Sequence, residues 1–128
     1  MIKLLAVDDE KGICEFLEVF FKEKGYTIFT ASTPMDAVLI TKKEHPDIVF
    51  LDIHMPQNEG LGVLQEIKSF DKNIKVIMIT VAGDDNTRNI ALSLGADSYV
   101  IKPFELSKLE ELALKFIHQI LKNKGKTA

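Results

Sequence analysis

Five polar side chains each follow a short apolar run, where burial should discourage them. Asp8 and Asp9 come after "IKLLAV", Asp52 after "DIVFL", Thr80 after "KVIMI" and Lys102 after "SYVI". Brought together, they suit one kind of chemistry. Three carboxylates in one crevice repel one another and raise each other's pKa values unless a cation joins them, so the set asks for a hard divalent ion. Magnesium fits best, with Mn2+ as the substitute, because it accepts one or two carboxylates and keeps several waters. An ion held by Asp8, Asp9 and Asp52 would shield incoming phosphoryl oxygens, with Lys102 and the Thr80 hydroxyl as further partners. Asp52 would then be the nucleophile, forming an aspartyl phosphate.

The elements that must position these groups follow from the pattern of the chain. "IKLLAVDD", "YTIFTA", "DIVFLDI", "KVIMIT" and "SYVIKP" read as strands of five or six residues, rich in β-branched types and without strict alternation. Such runs belong to a parallel sheet covered on both faces. Helical patterns lie between them. Gly12 to Lys24 carries Ile13, Phe16, Leu17 and Phe20 at helical spacing and stops at Gly25. Thr33 and Pro34 offer an N-cap and a first-turn proline for a second helix through Lys43. A third runs from Gly60 to Phe70, a fourth from Asn86 to Leu94 before Gly95, and the fifth sets Leu106, Leu109, Ala113, Phe116 and Ile120 on one face.

Five alternations of strand and helix predict an α/β fold: a doubly wound five-stranded parallel sheet, order 2-1-3-4-5, flanked by five helices as a three-layer αβα sandwich. In such flavodoxin-like sheets, ligands sit outside the carboxyl ends of the strands, at the switch point between the first and third. All five polar residues fall at that edge. Collecting acids, a hydroxyl and an ammonium at four strand ends is hard to explain as packing.

Composition agrees with one globular domain. The chain has 128 residues, 46% of them hydrophobic and 27% charged. "MIKLLAV" is too short for the apolar core of a signal peptide and no run is long enough to span a bilayer, so a cytoplasmic location is expected. Cys14 is the single cysteine, which excludes an internal disulfide and a thiol cluster for zinc, and reads as a small buried hydrophobe. Net charge is −3, and three of the 16 basic residues lie in the terminal "KNKGKTA". The remaining body is acidic and ill suited to binding nucleic acid by its field. We expect the domain over residues 1–121, with 122–128 as a basic tail or the start of a linker.

Around these residues the chain resembles the receiver domain of two-component response regulators, a chemotaxis-regulator-like, flavodoxin-like family. The carriers are "VDDE", "PDIVFLDIHMPQNEG", "MIT" and "YVIKPF", in this order and spacing. The resemblance covers nearly the whole chain. It implies a phosphorelay switch: Asp52 takes a phosphoryl group from the phosphohistidine of a sensor histidine kinase or phosphotransfer protein. It implies that Asp8, Asp9, Asp52 and the backbone carbonyl of His54 hold magnesium, that Lys102 pairs with the phosphoryl group, and that Thr80 signals its presence. Tyr99 matches the family's switch aromatic, turning inward as Thr80 moves and remodelling the face of helix four, strand five and helix five. Pro56 and Gly60 shape the loop into the third helix. Base rates favour a trans Lys102–Pro103 bond; the resemblance implies a cis bond that aims the lysine inward. Output would pass to an effector domain or partner protein, with a phosphorylation-dependent homodimer compatible with the pattern, and no nucleic-acid or membrane contact is expected of the domain itself. Catalysis would be confined to its own phosphorylation and dephosphorylation.

Two positions depart from the family pattern. Val81 stands where a small residue usually follows the hydroxyl, and its branched side chain is expected to slow small phosphoryl donors and hydrolysis. His54 reads either as a contact for the phosphoryl group or attacking water, or as an exposed loop side chain contributing only its carbonyl. His45 and His118 fall in helical, solvated positions and are assigned no role. Rival functions fit less well. An aspartate-nucleophile phosphatase of the haloacid dehalogenase type places its nucleophile after strand one with a second acid two residues on. A nucleotide- or flavin-binding domain wants glycines where "DDEKG" supplies acids. An interaction module without phosphorylation would not need the intact acid, hydroxyl and lysine set.

Overall fold

The computed structural model describes residues 2–55, 59–81 and 83–126. Ten elements alternate along it: β1 (Lys3–Val7), α1 (Lys11–Glu23), β2 (Thr27–Ala31), α2 (Pro34–Glu44), β3 (Ile48–Asp52), α3 (Gly60–Phe70), β4 (Lys75–Val81), α4 (Asp85–Ser93), β5 (Ser98–Lys102) and α5 (Leu106–Lys126). The strands form one parallel sheet in the order β2-β1-β3-β4-β5. Fold class and strand order are therefore those expected from the alternation.

Side-chain alternation divides the core into two layers. Leu4, Ala6, Ile48, Phe50, Ile77, Ile79 and Val100 pack with Leu17 and Phe21 of α1 and Leu109, Ala113 and Phe116 of α5. Leu5, Val7, Val49, Leu51, Val76 and Met78 pack with Ala37 of α2, Val63, Leu64 and Ile67 of α3 and Ala91 of α4. Both faces of the central strands are covered, which is why their sequences lack a polar row. Phe21 stacks on Phe50 with ring centroids 5.2 Å apart, tying α1 to the middle of β3.

Helix ends follow their local chemistry. Thr33 caps α2, its side chain accepting from the Asp36 amide at 3.1 Å, and Pro34 opens the helix. Gly25 and Gly95 take φ of 91° and 105°, values that a side chain would oppose. After α2 no glycine is present, and His45 itself adopts the left-handed cap at φ 51°, its amide donating to the Thr41 carbonyl. His45 is thus an exposed cap residue and not a helical one. The fifth helix runs on to Lys126.

Two contacts fix the sheet's geometry below the polar edge. Lys68 on α3 donates to the Ile74 carbonyl at 2.7 Å and to Asp97 Oδ2 at 2.9 Å, and that same oxygen accepts from the Val76 amide. This locks the entry of β4 against the turn into β5. At the other end, Gly60 opens α3 directly beneath the end of β3. A Cβ added there would lie 2.4 Å from the Asp52 carbonyl oxygen and 2.7 Å from Ile53 Cα, both backbone atoms. Gly60 therefore sets how closely α3 approaches the end of β3. Gly60→Ala should lower unfolding free energy by about 1–3 kcal/mol, the usual cost of overpacking. Urea unfolding of the purified variant measures it, and an unchanged midpoint would show that the backbone yields without cost.

Candidate functional site

The same alternation explains which side chains meet. Asp8 continues the row of Leu4 and Ala6, Asp52 that of Ile48 and Phe50, and Lys102 that of Val100, all of which face α1 and α5. Where the helices end, the rows end on polar groups. Asp8 and Asp52 are 1% and 2% exposed, whereas Asp9 points out to solvent. Carboxylate oxygens of Asp8, Asp9 and Asp52 nevertheless lie within 4.8 Å of one another. Lys102 Nζ stands 3.3 Å from Asp8 Oδ2, 3.5 Å from Asp52 Oδ2 and 3.8 Å from Glu10 Oε1. The Lys102–Pro103 bond is cis, as the resemblance implies.

Backbone donors complete the two buried acids. Asp8 Oδ1 accepts from the Glu10 amide and Asp52 Oδ1 from the His54 amide, each at 2.9 Å. Each carboxylate therefore has one oxygen fixed by the loop and one turned to Lys102. Burial raises the Asp8 carboxyl to about 6, the Glu10 amide and Lys102 opposing and the Asp52 charge adding to the rise. For Lys102 burial acts downward, but the charges of Asp52 and Asp8 together outweigh it and the ammonium is held up. Cys14 is buried as expected and also donates, Sγ lying 3.3 Å from the Asp8 carbonyl. Burial, then the Asp8 charge, pushes its thiol up, which makes it an inert partner of the β1 turn.

Thr80 belongs to the other row. It follows Val76 and Met78, faces α4, and is 1% exposed. On the neighbouring strand Tyr99 pairs with Met78 and packs on the same face, so it lies diagonally below Thr80. Tyr99 is half-buried, with the Arg88 guanidinium of α4 over its ring at 4.8 Å. Val81 is 44% exposed at the end of β4, on the opposite face from Thr80. His54 departs from the expectation of an exposed loop side chain: its imidazole is half-buried and engaged with protein groups, Nε2 lying 3.0 Å from Asp84 Oδ2 and 3.4 Å from Thr80 Oγ1. Sequence reasoning missed Asp84, which caps α4 by accepting from the Thr87 amide. The signal was present as an Asp three residues before Thr87, a helix-start spacing. Pro56 lies outside the described residues.

A parallel α/β sheet with acids, an ammonium and a hydroxyl at its switch-point edge is a doubly wound, flavodoxin-like domain whose ligand edge is polar. Comparison makes the class specific: residues 4–114 match the response regulator receiver domain, and the chain belongs to that family. It is the phosphorylation-activated switch unit of two-component signalling, and receiver domains bind Mg2+. Sporulation initiation phosphotransferase F of Bacillus subtilis (strain 168) is 35% identical over 115 residues, covering 90% of this chain and 93% of that protein. The probable transcriptional regulator ycf27 of Guillardia theta is 45% identical over 108 residues, 84% of this chain but 42% of the regulator, so the chain spans less than half of that relative. The crystal structure of a two-component response regulator from Clostridium difficile superposes with a TM-score of 0.88 at 26% identity, covering 94% of this chain and 98% of that one. No helix among the described residues is long and apolar enough to cross a membrane.

The raised Asp8 carboxyl has a measurable consequence. Between pH 4 and 6 the folded chain keeps a proton that the unfolded chain has lost, so Asp8 makes stability fall as pH rises through that window and level off above it. Asp8→Asn removes this loss. In metal-free buffer the variant should exceed the parent by on the order of 3 kcal/mol at pH 7.5 or so, the difference vanishing near pH 4. Denaturant titrations at both pH values test this; equal stabilities at the higher pH would refute it.

Proposed function

We propose that Asp52 is the phosphoacceptor and that this edge carries out its own phosphorylation from a phosphohistidine donor. The observation that carries the reading is the fixing of the Asp52 carboxylate: one oxygen takes the His54 amide, the other faces Lys102, and two further acids stand alongside. In the reaction an Asp52 carboxylate oxygen attacks phosphorus, a P–O bond forms, and the P–N bond to the donor imidazole breaks, returning its electron pair to the donor ring. Lys102 is placed to move from the carboxylates to a phosphoryl oxygen, and Thr80 can donate its hydroxyl proton to another. Asp8, Asp9, Asp52 and the His54 carbonyl would hold Mg2+ or Mn2+, which neutralises the charge gathering on the phosphoryl oxygens. The donor set fits such an ion: hard oxygen ligands, two of them anchored by loop amides and one open to solvent.

Transmission runs on the other face of β4 and β5. Withdrawal of Thr80 toward the acid crevice would leave room beside Tyr99, altering the surface of α4, β5 and α5 that an effector domain, partner protein or second copy reads. We place the signalling unit at residues 1–121 and 122–128 as the way out of it, and infer a cytoplasmic setting.

The donor also needs a surface from which to reach Asp52. A groove of about 880 Å³ between α1 and the β5–α5 turn is lined by Ile13, Phe16, Leu17, Phe104 and Leu106, with Glu10 and Lys102 at its end. Phe16 is 64% exposed there, a large apolar surface beside the acid edge. We assign this groove to the helical phosphohistidine domain of the donor.

Intact-mass spectrometry after incubation with acetyl phosphate tests the chemistry. A phosphoryl adduct is expected that requires magnesium and is absent from Asp52→Asn; an adduct on Asp52→Asn would remove Asp52 from the role. Phe16→Ala tests the donor surface. Transfer from a histidine kinase should slow about tenfold, the effect of losing one aromatic anchor, while the acetyl phosphate reaction keeps its rate. Equal slowing of both reactions would sink the assignment of the groove.

A further inference from the structure

The His54 imidazole joins two groups that phosphoryl chemistry alone would not connect. Its Nε2 is 3.0 Å from Asp84 Oδ2 and 3.4 Å from the Thr80 hydroxyl. The other Asp84 oxygen, Oδ1, accepts from the Thr87 amide at 3.3 Å and so caps α4. A carboxylate only accepts, so the proton in the short contact resides on Nε2. That nitrogen then has no lone pair to offer Thr80. The hydroxyl must present its oxygen to the imidazole, leaving its own proton to be donated elsewhere. Its natural recipient is a phosphoryl oxygen on Asp52, two residues before His54.

We propose that the His54 side chain is a positioning residue that couples the Thr80 hydroxyl to the N-cap of α4. In the structure described, one N–H is shared between Asp84 and Thr80. When Thr80 donates to a phosphoryl group and draws away, the N–H passes wholly to Asp84, and the cap over Thr87 tightens. The first turn of α4 also carries Arg88, which covers Tyr99, so the tightened turn bears on the switch aromatic from above. The sheet holds Thr80 and Tyr99 on one face; His54 adds a polar route from the same hydroxyl to the helix. The inference rests on Asp52 being the phosphoacceptor, and it assigns to position 54 a role distinct from its backbone carbonyl.

Amide hydrogen exchange by NMR tests it, read at Thr87 in magnesium-containing buffer with and without excess acetyl phosphate. Intact mass on the same sample reports the adduct, so absence of an adduct points to failure of the phosphoacceptor reading, and an adduct without the exchange change points to failure of this one. Exchange at Thr87 should slow about fivefold on phosphorylation, the gain from one strengthened hydrogen bond of roughly 1 kcal/mol. In His54→Leu the ratio between the two states should fall to about one, and in His54→Gln, which keeps an N–H donor, it should recover by at least half. Asp84→Ser, which retains a capping hydroxyl, should also lose the ratio. A merely structural role would move exchange equally in both states and leave the ratio intact. The same fivefold slowing in His54→Leu would overturn the proposal.

Discussion

Among the described residues one ammonium faces the acids of this edge, and the arrangement of the site turns on that imbalance. Lys102 stands within 3.5 Å of both Asp8 and Asp52, the two carboxylates that the sheet buries. At an effective dielectric constant near 20, each such contact gains on the order of 4 kcal/mol, while withdrawing each ion from water costs several. The Asp8 carboxyl, raised to about 6, shows the desolvation side prevailing there. The Lys102 ammonium, held up against its own burial, shows attraction prevailing at the lysine. The edge is therefore short of positive charge. A divalent cation would answer that shortage and, by taking over the acids, would free Lys102 to turn toward a phosphoryl group.

What holds this unfavourable cluster in place is the hydrocarbon beneath it. Each of Asp8, Asp52 and Lys102 is the last member of a strand row whose earlier members lie under α1 and α5, so the backbone that carries them is held by a packed layer. The Phe21–Phe50 stack sits two residues before Asp52, and Gly60 lets α3 close under the Asp52 carbonyl. Rigid placement matters because charge stabilisation is effective only when the groups need no reorganisation as the reaction proceeds. Stability given up at Asp8 is thus the counterpart of a site arranged in advance.

The parts that were legible in the sequence are those governed by periodicity and by local chemistry. Apolar runs without alternation gave the parallel sheet; Thr33–Pro34, Gly25 and Gly95 marked helix ends; and the polar residue after each run marked the edge where the site lies. Interactions depending on side chains distant in sequence were not legible. Lys68 and Asp97 lock the entries of β4 and β5 across 29 positions, and nothing in either neighbourhood announces the pair. His45 as a left-handed cap was hidden because histidine carries no glycine-like signal. The side-chain contacts of His54 were hidden because its neighbours suggest a loop and its partners lie 26 and 30 positions away.

Position 54 also shows how a fixed site and an adjustable output can share one turn. Its amide is committed to Asp52, as rigidly as the strand that precedes it, while its imidazole reaches across β4 to groups outside the acid crevice. The backbone at this position belongs to chemistry that any member of the family would require. A side chain there is under no such constraint and can be chosen for what it touches. In this chain it touches the hydroxyl that would sense the phosphoryl group and the carboxylate that begins α4. Variation at one residue can therefore tune how strongly the helix responds without altering how Asp52 is held.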